Sequence, residues 1–143
     1  MAERGARPRP VDVAYWLWIV CAALLVLFGL LALTASGDAV REQLLANGVA
    51  PDSVDALVSL LRGSGGLAIA VGLGTGFMAG PVRAGHPGFR RAEVALTGVY
   101  AVIQVLSTAV GVGQLPMLLT AVGMLAAAAV VFLPSARGWF VRG

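Results

Sequence analysis

Apolar residues run almost unbroken from Val13 to about Thr34, from about Gly65 to Val82, from about Val94 to Val112, and from about Leu115 to Leu133. About 20 such residues in a helix cross the hydrocarbon core of a bilayer. The pattern therefore predicts four transmembrane helices in one integral membrane domain covering 1–143. Tyr15, Trp16 and Trp18 cluster at the start of the first run, where an interfacial aromatic belt is expected.

The polar positions fall between these runs. Residues 35–63 carry Ser36, Asp38, Arg41, Glu42, Asn47, Asp52, Asp55 and Arg62. Asp38 is the expected N-cap of a short helix, and Asn47-Gly48 its expected stop. Pro51 opens a second helix with Asp52 and Asp55 near its positive end. Val54, Leu57, Val58 and Leu61 then recur at i, i+3, i+4 and i+7, which makes one apolar stripe. The expectation is a helical hairpin too polar to span, with its stripe covered by the outer ends of the bundle, the leaflet interface or a partner. Residues 83–93, with Arg83, His86, Pro87, Gly88, Arg90 and Arg91, read as a loop. Gly113-Gln114-Leu115-Pro116 reads as a tight turn, and Pro134 ends the fourth run. The expected fold class is all-α: a four-helix transmembrane bundle with a short extracytoplasmic helical hairpin between spans 1 and 2.

Composition agrees with a membrane protein. The chain is 59% hydrophobic and 12% charged, against about 45–50% and about 25% in soluble domains. Its net charge of +3 comes from arginines in short blocks beside the apolar runs, which is an orientation signal rather than a nucleic-acid footprint. Arg4, Arg7, Arg9, Arg83, Arg90, Arg91, Arg137 and Arg142 fall on one side of a four-span topology, and only Arg41 and Arg62 on the other. The positive-inside rule then places both termini in the cytoplasm of a multi-pass protein of the bacterial inner (plasma) membrane. A cleaved signal peptide does not fit, since the first run is too long and no small-x-small site follows it. All ten basic residues are arginine, a composition that suggests a GC-rich, actinobacterial genome.

A faint internal repeat accompanies this layout. Asp12-Val13-Ala14 and Glu93-Val94-Ala95 open the first and third runs, and Pro-x-(x)-Arg-containing segments at 81–85 and 134–138 close the second and fourth. Generic helix punctuation explains these similarities as readily as duplication does.

Candidate chemistry is sparse. Gly72, Gly76 and Gly80 fall one turn apart on the second span and make a side-chain-free face for helix packing, either within the chain or against a partner. No Asp, Glu, Arg or His is expected well inside a span, which argues against proton coupling and intramembrane acid–base catalysis. Gln104 is the strongest polar group at membrane depth, with Thr97 and Thr108 on the same broad side of the third span. An interhelical hydrogen bond is expected there, and a polar pore or pocket is the alternative. Arg83, Arg90 and Arg91 are candidates for gripping anionic lipid headgroups. His86 is one loop histidine without other metal ligands near it, and Cys21 is one thiol inside an apolar run, so no metal site, disulfide or cofactor is expected.

The Arg-Pro arm before Val11-Asp12-Val13-Ala14-Tyr15-Trp16-Leu17-Trp18, the four runs, and the closing Leu133-Pro134-Ser135-Ala136-Arg137-Gly138-Trp139-Phe140 together resemble small four-transmembrane-helix integral membrane proteins of actinobacteria, which are mostly of unassigned function. The resemblance implies an envelope location and no activity. The functional expectation is a non-enzymatic accessory or scaffold subunit of an envelope membrane complex. The alternative is a small self-associating channel or carrier lined by the polar stripe of span 3. The expected partners are the bilayer, with anionic lipids, and a larger membrane protein or further copies of the chain; nucleic acid is not among them.

Overall fold

The computed structural model describes residues 6–109 and 115–141, which are helical apart from short turns. Arg4, Arg142 and the expected turn at Gly113-Gln114 lie outside the described residues. Six helices follow in order: α1 (Arg9–Thr34), α2 (Gly37–Ala46), α3 (Val54–Arg83), α4 (Pro87–Ala109), α5 (Leu115–Val131) and α6 (Pro134–Val141). Helices α1, α3 and α4 are each long and apolar enough to cross a membrane. The pair α5–α6, bent by 71° at its break, passes the same test when taken as one unit.

The long helices form a ring in which α1 packs on α3 and α5, and α4 packs on the same two. Trp18, Leu25, Tyr100, Met117 and Met124 fill its centre. Outward, the helices are apolar: Phe77 is 78% exposed and Leu73 62%, as lipid-facing positions require.

Three boundaries differ from the sequence reading. Residues 54–63 are not a second arm of a separate hairpin but the first turns of α3, which runs on through Gly63-Ser64-Gly65-Gly66. Glycine weakens a helix by about 1 kcal/mol relative to alanine, which slackens this stretch without ending it. At 30 residues, α3 is about 45 Å long, so its polar start extends beyond an apolar layer of about 30 Å. Helix α2 then lies alone against that projecting end, held by Arg41 to Asp55 at 2.7 Å. Its cap is Ser36, whose hydroxyl accepts from the Ala39 N–H at 3.4 Å, and Asp38 sits in the first turn instead. Asn47 does close α2, with Gly48 following at φ 85°.

The expected loop at 83–93 shrinks to a turn at 84–86, with Gly85 at φ 94°. Pro87 opens α4 with a pre-set φ, so Arg90, Arg91 and Glu93 are helical. Finally, Pro134 does not simply end the chain's helical part: α6 folds across the end of the bundle, where the Trp139 Nε1–H donates to the Arg83 carbonyl at 3.0 Å.

Arg7, Arg83, Arg90, Arg91 and Arg137 gather at this one end, called the basic end below. Arg41, Arg62 and the acidic groups of residues 38–55 lie at the other.

Candidate functional site

The α1–α3 seam fixes how the glycines are used. A Cβ added at Gly72 would sit 2.9 Å from the Ala22 carbonyl oxygen, and one added at Gly29 would sit 2.6 Å from the Gly65 carbonyl oxygen. Backbone meets backbone here, which only glycine permits. Of the expected face, Gly72 is therefore spent inside the chain. Gly76 lies off the seam, with the Ala22 Cβ at 3.8 Å, and nothing stands within 4 Å of a Cβ at Gly80. Gly29 and Gly65, which the sequence reading did not single out, complete the seam that Gly72 begins. Gly76 and Phe77 instead border an open furrow of about 720 Å³ between α1 and α3, with Ala22, Ala23 and Val26 in its floor and far wall.

The stripe at the start of α3 is covered within the chain. Val54 and Val58 are buried, and Leu57 and Leu61 are half-buried.

On α4, Thr97 and Gln104 face the interior, at 1% and 2% exposure. Thr108 turns outward and donates to the Gln104 backbone carbonyl at 2.8 Å. Among the described residues, the Gln104 side-chain amide makes no hydrogen bond. It borders instead a crevice of about 540 Å³ between α3 and α4, together with Ser59, Ser64, Leu67, Ser107 and Met117.

The larger correction concerns charge. Glu93 was expected at the edge of the third span, outside its interior. It is 0% exposed, and neither carboxyl oxygen has a hydrogen-bond partner among the described residues. The expected loop position of Glu93 fails there: the carboxyl is enclosed by the protein, a buried acid that the reading of charge-free spans did not foresee. Pro87 is the reason: by starting α4 early it carries Glu93 nearly two turns into the helix. Trp18 Nε1, Thr75 Oγ1, Arg90 Nε, Thr97 Oγ1 and the Tyr100 hydroxyl are likewise buried without a hydrogen-bond partner among the described residues. Thr75 lies across the α3–α4 seam from the carboxyl, within range of it but outside hydrogen-bond geometry.

At the basic end, two of the three expected headgroup arginines are engaged within the chain. Arg83 Nε donates to the Asp12 carboxylate at 2.9 Å, and its guanidinium lies 4.4 Å from the Tyr15 ring centroid. Arg7 shares the same carboxylate oxygen at 3.3 Å. Arg90 lies over Phe140 at 4.6 Å and Phe132 at 5.3 Å. Arg91 is exposed, as is His86. Among the described residues, no three His, Cys, Asp or Glu side chains come together as a metal site.

Against known proteins, the chain matches no family model, no curated protein and no solved structure.

Proposed function

We propose that this protein is a non-enzymatic accessory subunit of a bacterial envelope complex, seated in the plasma membrane by four passes and docking a transmembrane helix of a larger partner. The observation that carries the reading is the uncovered Gly76–Gly80 step of α3. A small-xxx-small step lets two helix backbones approach closely in lipid, where hydrophobicity alone gives little association. Gly72, one turn away, is consumed by α1, whereas a Cβ at Gly76 would meet only the edge of α1 at the Ala22 Cβ, 3.8 Å away, and one at Gly80 would meet nothing within 4 Å. The furrow beside Gly76 gives the incoming helix a track. The concentration of arginines at one end supports cytoplasmic termini, with Arg91 left free for anionic headgroups.

The test is co-purification from native membranes. Gly76→Leu places a side chain in the furrow, where its Cβ meets the Ala22 Cβ at ordinary contact distance. The variant should insert normally and lose the partner. A variant that keeps its partner, or a wild-type protein isolated without one, would overturn the reading.

A second reading rests on the Gln104 crevice: copies of the chain assemble into a channel or carrier with Gln104 and its neighbouring serines along the path. Purified protein in liposomes should then conduct, and Gln104→Leu should change the flux. No flux from wild-type protein removes this alternative.

A further inference from the structure

The crevice between α3 and α4 joins an apolar wall to a buried amide. It holds about 540 Å³, within the range of about 300–1,000 Å³ of small-ligand sites. Leu60, Leu67, Ile103 and Met117 make most of its wall. Gln104 borders it at 2% exposure, and its side-chain amide makes no hydrogen bond among the described residues. Burying an amide without partners costs free energy, which a hydrogen-bonding guest offsets. Leu60, 55% exposed, stands at the mouth, so the crevice opens on the flank of the bundle.

Height in the membrane narrows the guest. Gly74 meets Leu96 across the seam, and α3 and α4, joined by a short turn, run in opposite directions. Gln104, eight residues beyond Leu96, is therefore level with Gly66, and Ser107 with Gly63. At 1.5 Å per residue, Gly66 lies about 26 Å along α3 from Arg83 and Ser59 about 36 Å, against an apolar layer of about 30 Å. The crevice thus straddles the edge of that layer opposite the basic end, with Gln104 just inside it and Ser59 just outside. The ester linkages of a lipid leaflet lie at this level.

Charge narrows it further. Among the described residues no cation lines the crevice. Of the two arginines at this end, Arg41 pairs with Asp55 at 2.7 Å, and Arg62 reaches toward Gly37 on α2. Asp38, Glu42 and Asp52 add negative charge there. An anionic headgroup finds no partner, whereas an uncharged one does. Gln104 offers two N–H donors and an acceptor oxygen, and Ser59 and Ser107 offer hydroxyls that serve as either. Ester carbonyls and a free hydroxyl complement that set, and acyl chains complement the apolar wall.

We propose that this crevice binds a neutral acyl-ester lipid of the diacylglycerol type, drawn from the leaflet opposite the basic end, with its polar groups on Gln104 and the serines beside it. The site needs neither a docked helix at Gly76 nor a conducting path, so it stands if either of those readings fails. The lipid enters sideways from the bilayer and is lost to detergent, so the test is made in liposomes.

An ether-linked phosphatidylcholine supplies a bilayer without ester carbonyls. Full-length protein in it is irradiated with a trace of dioleoylglycerol carrying a diazirine beside one ester, and the labelled peptides are identified by mass spectrometry. Label should concentrate on 56–67 and 103–107, and unlabelled dioleoylglycerol should displace it. The dialkyl ether analogue keeps the hydroxyl and lacks both carbonyls. It should compete about tenfold less well, as loss of one hydrogen bond to a buried amide predicts. Phosphatidylglycerol, which is anionic, should also compete less well than dioleoylglycerol. Gln104→Leu should erase the preference for ester over ether. The proposal is overturned if label falls as heavily around the lipid-facing Leu73 and Phe77, if ester and ether compete equally on wild-type protein, if phosphatidylglycerol matches dioleoylglycerol, or if Gln104→Leu keeps the preference. Should that variant fail to insert, the ester-to-ether ratio on wild-type protein decides by itself.

Discussion

The two long seams of α3 were built from opposite materials. Toward α1 the seam is glycine-rich, and the backbones nearly touch at Gly29, Gly65 and Gly72. Toward α4 it holds a crevice beside Gln104 at one level and an unpartnered acid with its hydroxyl neighbours at another. Where backbones touch there is no room for another group, so the α1–α3 side is open only at the outer furrow beside Gly76, whereas the α4 side keeps unpaired polar groups in its interior. The scaffold of this molecule is therefore the α1–α3 pair, and its chemistry lies where α4 joins.

Substitutions along α3 can break or sharpen that contrast. The largest effect is expected at Gly72→Leu, which drives a side chain into the Ala22 carbonyl. It should cost about 3 kcal/mol, seen as a clear drop in thermal unfolding temperature in detergent. An unchanged midpoint would mean the seam is looser than its distances say. Gly63, on the crevice side, has open space around it, so Gly63→Ala should instead stabilise by about 0.5–1 kcal/mol, and a loss would show that the crevice is filled. Gln104→Leu removes an amide that makes no side-chain hydrogen bond among the described residues. Its unfolding midpoint should stay the same or rise slightly, within about 0.6 kcal/mol, since that is the average of such bonds in membranes. A larger drop would reveal a polar partner. The smallest effect is expected outside both seams: Arg41→Ala breaks an exposed ion pair with Asp55 and should change stability by less than about 0.5 kcal/mol, with whatever effect there is fading in salt.

Much of this architecture can be read from the sequence. The apolar runs mark where the long helices lie, because a bilayer demands length and apolarity whatever the packing. Asn47-Gly48 and the Arg-rich ends were legible for equally local reasons. Which face of α3 is used was not, since Gly72 and Gly76 differ only in their register against α1, and register is tertiary. Glu93 was within reach. Counted from Pro87 as a helix start, Glu93, Thr97, Tyr100 and Gln104 fall at i, i+4, i+7 and i+11 on one face. Reading Gly85-His86-Pro87-Gly88 as the middle of a long loop hid that stripe. The helical continuity through Gly63–Gly66 was hidden for the opposite reason: helix propensities argue for a break there, and packing against α1 overrides them.

The clasp between Trp139 and the Arg83 carbonyl has a consequence for biogenesis. Helix α6 leaves the ribosome after the helices it closes over, so the turn at Gly85 stays open until α6 has been made and has folded back. A chain in which α6 has not folded back would present that turn, with three consecutive residues outside any helix, to proteases. Helix α6 thus doubles as a seal over a turn made before it, and cleavage at 84–86 would mark the chains that never received it.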